Sequence, residues 1–197
     1  MDYQITKAEL NKLCRRYRVI SSQPLKTAHE DGINNLRRFI KFIESNPLIY
    51  NFILKNQIRE YDISSLFNNF GCGRYEIPDT TEEEISFTYQ LLKYGLEEFS
   101  EYYYFTVQVG GYGGNKIQTQ VDEFNRTVVS SFYSQIEGYL NDLLIDLGND
   151  EQSTFHINIE NLYGKILSQA GSITQNNDFR DTTLGGGVAG GCRDDGR

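Results

Sequence analysis

Apolar residues recur through positions 6–147 at intervals of three and four, the spacing that lines one face of an α-helix. The first segment opens with Thr6-Lys-Ala-Glu9, a capping box: the hydroxyl accepts from a free backbone N–H while the carboxylate reaches back to another. Leu10, Leu13 and Tyr17 follow, predicting a short helix to about Arg18 that ends before the turn signal Ser21-Ser22-Gln23-Pro24. From about Thr27, Ile33, Leu36, Ile40 and Ile43 mark one face of a second helix, with Arg37, Lys41 and Glu44 opposite. Ser45-Asn46-Pro47 reads as a stop and a restart. Asn46 can cap the next helix, and Pro47 at its first position lacks only a donor the helix does not use. Ile49, Phe52, Ile53 and Ile58 continue it.

Residues 68–79 read as a loop, with Gly71 and Gly73 supplying backbone freedom and Pro78 preceding a restart. Thr81-Glu82-Glu83-Glu84 is a second capping box, its acids placed favourably at a helix N-terminus. Ile85, Thr88, Leu92, Leu96, Phe99 and Tyr103 run down one face from there. Tyr102–Val109 is rich in strand-favouring residues and reads either as a strand or as a last helical turn. Gly110-Gly-Tyr-Gly-Gly114 interrupts the chain, and a second long helix carries Val121, Phe124, Val128, Phe132, Ile136, Leu140, Leu143 and Leu147 before Gly148 stops it.

Two long helices joined by a short connection pack antiparallel, so Glu82 to about Asp146 is expected to form a helical hairpin. Each arm would be roughly 38 Å long at 1.5 Å per residue. Gly95 and Gly138 lie inside the arms but out of register across the hairpin, and are expected to meet other elements such as the N-terminal helices. Phe155-His-Ile-Asn-Ile159 alternates apolar and polar, a short strand signal. The expected fold is mainly α: a helical bundle built around the hairpin. It comprises a helical domain over 1–150, a short irregular or β segment over 151–175, and a glycine-rich disordered tail or linker over 176–197. The closing Gly-Gly-Cys-Arg-Asp-Asp-Gly-Arg offers neither cap nor strand, and reads as a fragment of a longer protein or a truncated reading frame.

Composition narrows the function classes. No apolar run approaches the roughly 18 residues that span a bilayer, and the first residues lack the basic-then-apolar pattern of a secretory signal. Three widely separated cysteines, Cys14, Cys72 and Cys192, indicate neither a disulfide framework nor a zinc site, so a reducing cytoplasm is expected. The net charge of −8 is divided unevenly. Residues 1–60 hold eleven Lys/Arg against six Asp/Glu, and the remainder holds eight against twenty-one. Either the two parts attract each other within the fold, or the basic part meets an anionic partner such as RNA, against long-range repulsion from the acidic remainder.

Chemistry is sparse. Lys116 after the glycine loop has neither the adjoining Gly nor the hydroxyl of a phosphate-binding loop, and no βαβ unit surrounds it. His29 and His156 stand apart from any Cys or Ser motif. Cys72 has no local base to lower its pKa. The carboxylate pairs Glu97/Glu101 and Asp142/Asp146 lack the Glu-x-x-His motif of a di-metal bundle. No catalytic, cofactor or metal site is expected. Two surfaces stand out instead. Arg15, Arg16, Arg37, Arg38 and Lys41 are candidate anion contacts. Tyr102, Tyr103, Tyr104 and Phe105 cannot all lie on one helix face, so part of that run is a candidate partner surface.

Two resemblances add to these readings. Phe132-Tyr-Ser-Gln-Ile-Glu-Gly-Tyr-Leu-Asn-Asp-Leu-Leu144 resembles the central helix of HEPN-type helical proteins, many of them nucleases of bacterial conflict systems. Their catalytic Arg-x4–6-His pattern is absent, so the resemblance implies an RNA-directed module lacking that catalytic motif. Phe179-Arg-Asp-Thr-Thr-Leu-Gly-Gly-Gly-Val-Ala-Gly190 resembles glycine-rich connectors of uncharacterised bacterial multi-domain effector and sensor proteins. The leading expectation is a non-enzymatic, protein-binding or self-associating helical module of a bacterial multi-domain system; RNA is the alternative partner.

Overall fold

Thr6 starts the helical part of the chain as the spacing predicts: its hydroxyl accepts from the Glu9 N–H, and the Glu9 carboxylate accepts from the Thr6 N–H at 2.9 Å. This is seen in a computed structural model that describes residues 2–27, 31–68, 78–110, 116–148 and 154–158. Eight α-helices follow among the described residues: α1 (Lys7–Leu25), α2 (Gly32–Ser45), α3 (Pro47–Asn56), α4 (Ile63–Asn68), α5 (Thr81–Glu98), α6 (Tyr102–Gly110), α7 (Ile117–Phe124) and α8 (Ser130–Asp146). Two short strands, β1 (Asp2–Thr6) and β2 (Thr154–Asn158), pair antiparallel with Tyr3 opposite Ile157. The fold is mainly α, and the alternating segment after residue 150 is a strand hydrogen-bonded to the first residues of the chain.

Several expectations need correction. α1 continues through Ser21–Pro24 to Leu25. Ser21 and Ser22 hydroxyls bond back to the Tyr17 and Val19 carbonyls, a geometry compatible with helix, and Pro24 falls in the last turn where one lost donor matters little. α2 begins at Gly32, five residues later than its pattern predicted. α3 stops at Asn56 and leaves Ile58 exposed, while α4 had no sequence signal strong enough to name it. The cap of α5 is Thr80 rather than Thr81, its hydroxyl accepting from Glu83 N–H. Of the two readings open for Tyr102–Val109, the helical one is observed, as a separate helix and not a last turn of α5.

The first hairpin arm is broken. Phe99 is extended (φ −115°, ψ 130°), so α5 ends and α6 starts in a new direction. In a straight helix residues 95 and 105 would be roughly 15 Å apart. Here the Phe105 ring lies against Gly95, so close that an added Cβ would sit 2.5 Å from ring carbon Cζ. Phe99, Phe105, Tyr94 and Phe67 pack around one another at centroid separations of 5.0–6.4 Å. Aromatic packing at the corner outweighs a few residues of helix.

The second arm is continuous from Ile117 to Asp146 but contains a π-helical turn, Asn125–Val129, between α7 and α8. Its apolar face explains the turn. From Phe124 to Leu140 the spacing is four residues throughout, and at 100° per residue four such steps overshoot whole turns by about 160°. The wider π turn takes up part of that drift, and Phe124, Val128, Phe132, Ile136 and Leu140 are all buried. α8 packs against α1, α5 and α3, and α1 against α2. Tyr17, Phe39 and Phe132 meet in the core, where Tyr17 stacks on Tyr133 at 5.4 Å and donates to the Tyr133 carbonyl.

Candidate binding surfaces

The aromatic run divides by helical geometry. Tyr102 and Phe105, three apart, are buried with Thr106 and Val109; Tyr103 is half-buried and Tyr104 is 55% exposed. The Tyr102 ring covers Gly32, leaving no room for a Cβ there, and its hydroxyl donates to Asn125 Oδ1 at 2.6 Å. Asn125 Nδ2 in turn donates to the Pro24 carbonyl, so one buried amide ties α6, the π turn and the end of α1 together. Burial pushes the Tyr102 hydroxyl well above the ordinary tyrosine range. Two of the four rings proposed as a partner surface therefore belong to the core. What remains outside is the Tyr103–Tyr104 pair, its centroids 5.5 Å apart.

The basic residues do the opposite. Arg15, Arg16, Arg37, Arg38 and Lys41 are all exposed, as is Lys12. They occupy the outward sides of α1 and α2, away from buried Leu13, Cys14, Tyr17, Leu36, Phe39 and Ile40. Arg16 lies over the Phe42 ring at 5.9 Å, which joins the two helices' outer faces, and Arg37 donates to Asn34. None of the six has a carboxylate within ion-pair distance among the described residues. Four other cations are paired, Arg18 with Glu137, Lys93 with Glu44, Arg59 with Glu83 and Arg126 with Glu123, while Lys7, Lys26, Lys55 and Lys116 have no carboxylate within ion-pair distance among the described residues. Of the basic Arg15–Arg18 cluster, only Arg18 reaches the acidic hairpin. There Tyr133 and Arg18, both bonding to Glu137, hold its carboxyl below the usual range.

A third feature was not legible in the sequence. A cleft of about 510 Å³ opens among α2, α3, α4 and α5. Glu44 Oε1 accepts there from Tyr89 OH and Lys93 Nζ, each at 2.9 Å. Tyr89 is pushed well above the tyrosine range by burial and the nearby Glu44 charge. Tyr50, Tyr61 and Tyr94 also line the cleft, with Asp62, Gln57, Gln90 and Glu97. These residues span 54 positions of sequence and share no motif; the turn signal at Ser45-Asn46-Pro47 placed a helix boundary near Glu44 but carried no hint of its partners.

The other sequence candidates contribute no site chemistry. His29 and Cys72 lie outside the described residues, as do Gly111–Asn115 and the segment 159–197. His156 sits in β2 opposite Gln4. Cys14 is a free thiol whose pKa burial raises, the reverse of what a nucleophile needs. Among the described residues no group of three His, Cys, Asp or Glu could hold a metal ion, and no helix is long and apolar enough to cross a membrane. Comparison with protein-family models, curated proteins and solved structures gave no match.

Proposed function

We propose that this chain is a non-catalytic helical binding module that engages an RNA backbone through the outer faces of α1 and α2. One observation carries the reading: six exposed cations cluster there with no carboxylate within ion-pair distance among the described residues, in a protein with 27 Asp/Glu against 19 Lys/Arg. Such segregation costs stability. Lys12/Arg16 and Arg37/Lys41 are like-charge pairs at i,i+4, each destabilising by about 0.2–0.5 kcal/mol. Phosphates would reverse that sign. At physiological salt the screening length is about 8 Å, so distant acidic faces do little to cancel the local field. The resemblance of 132–144 to the central HEPN helix points the same way, without the Arg-x4–6-His motif. A cytoplasmic setting, proposed from the scattered cysteines, suits an RNA partner.

Fluorescence anisotropy with a single-stranded RNA tests this. Each phosphate neutralised contributes about −0.7 to the slope of log K against log salt, so five contacts predict a slope of about −3.5. Replacing Arg15, Arg16, Arg37 and Arg38 together by Ala is expected to flatten the slope and abolish binding. Equal binding by this variant, or none by the wild type at low salt, rejects the proposal.

A second reading rests on Tyr104, exposed beside Tyr103 on α6: self-association or protein docking through that pair. Sedimentation of the wild type and of Tyr103→Ser/Tyr104→Ser decides it.

A further inference from the structure

The six cations on the outer faces of α1 and α2 are not equivalent. Tyr17, fully buried, meets Phe39 and Phe42 at centroid separations of 6.2 and 6.4 Å, which fixes Phe42 where α2 lies against α1. Phe42 itself is only half-buried. Cations flank it: Arg38 lies four residues earlier on the same side of α2, and Lys41 is its immediate neighbour. From α1, Arg16 reaches the ring, its guanidinium carbon Cζ 5.9 Å from the centroid. Among the described residues, none of the other five cations lies over a ring.

That contact gives Arg16 a capacity its neighbours lack. The negative face of an aromatic ring attracts a cation at this distance and so favours one position of the long side chain. A guanidinium is planar and less strongly hydrated than an ammonium, so it can lie between a ring and a base; lysine, a hydrated point charge, cannot stack in this way. From the core outward the order is Tyr17, Phe42, Arg16, and Arg16 is exposed. Unpaired RNA bases are held by stacking on aromatic rings or on Arg guanidinium planes. Single-strand binders combine such a platform with a charged track for the backbone. Lys12, Arg15, Arg37, Arg38 and Lys41 surround the platform and supply that track. A duplex keeps its bases stacked on one another and offers the platform nothing.

We infer that Arg16, supported from beneath by Phe42, is a stacking platform for one unpaired nucleobase, so that the RNA on α1 and α2 is single-stranded at this point. The inference rests on the RNA reading above and divides its residues by role. Arg16 takes a base, and the five cations around it take phosphates.

Fluorescence anisotropy of the full chain with three probes tests it: a single-stranded oligoribonucleotide, an abasic oligomer with the same number of phosphates, and an RNA duplex. The wild type is expected to bind the single strand about tenfold more tightly than the abasic oligomer, the order of one base stack. Arg16→Lys keeps the charge at an exposed position. It should weaken the single strand about tenfold without changing the salt slope, and bind the abasic oligomer and the duplex like wild type. Phe42→Leu should fall to the same level, and combining the two should cost little more, because they remove one platform. Arg15→Lys should leave all three affinities unchanged. Equal wild-type affinity for the base-bearing and abasic strands overturns the platform and leaves the backbone reading standing. So does an Arg16→Lys variant that matches wild type on the single strand, or that weakens all three probes alike. No binding of any probe by the wild type removes both.

Discussion

Gly95 and Gly138 carry the same expected penalty in sequence, yet the structure gives them opposite roles. Gly95 is filled by the Phe105 ring, whereas a Cβ at Gly138 would meet nothing within 4 Å. Gly138→Ala should therefore stabilise by about 0.5–1 kcal/mol, through helix propensity alone. Gly95→Ala gains the same term but drives a methyl into a ring packed on four others, Phe67, Phe99, Tyr102 and Phe124, an overpacking cost of about 1–3 kcal/mol. Urea denaturation of the two variants should move the midpoints in opposite directions. The expectation that these glycines meet the N-terminal helices does not hold for either. The N-terminal glycine that accepts a close ring is Gly32, under Tyr102.

At the scale of elements, α6 shows how a short helix sorts an aromatic run. Its inward residues, Tyr102, Phe105, Thr106 and Val109, recur at three and four, and the outward Tyr103 and Tyr104 are what a partner would meet. Phe105→Ser would empty the corner between α5 and α6 and unfold the protein before it tested any surface, since losing a buried Phe costs about 3–5 kcal/mol. Tyr103→Ser/Tyr104→Ser should leave the urea midpoint nearly unchanged. A loss of sedimenting oligomer in that variant alone would then report an interface. The π turn is an element-scale adjustment of the same kind. A helix repeating every four residues must either lose its core face or loosen its winding, and here it loosens within reach of Asn125.

The whole molecule is stabilised by tyrosines that must stay neutral. Tyr17, Tyr89 and Tyr102 are buried and raised well above the ordinary range, and Tyr133 and Tyr139 are pushed up to about 12. Unfolded tyrosines ionise near about pH 10. The folded state therefore holds more protons above that pH, and its stability is complete below about pH 10 and falls as pH rises toward the folded values. Urea midpoints measured from neutrality into the alkaline range should stay level and then drop steeply past that point. On the acid side the sign reverses: Glu137 is depressed by Tyr133 and Arg18, so its contribution is present above the unfolded glutamate pKa and lost as pH falls.

Local rules were enough for much of the architecture. The Thr6 capping box, the Asn46-Pro47 restart, the faces of α2 and α8 and the mainly α class follow from spacing and cap chemistry, which act over a few residues. Exposure of Arg15, Arg16, Arg37, Arg38 and Lys41 was equally legible, because each lies opposite an apolar stripe. Their isolation from carboxylates was not, since it depends on which helix the acidic hairpin faces. The break at Phe99, the burial of Tyr102 and Phe105, and the pairing of β1 with β2 were decided by contacts between residues distant in sequence. The cleft belongs to the same class. Glu44, Tyr89 and Lys93 meet only when α2 packs against α5, and no periodicity along a chain encodes that contact.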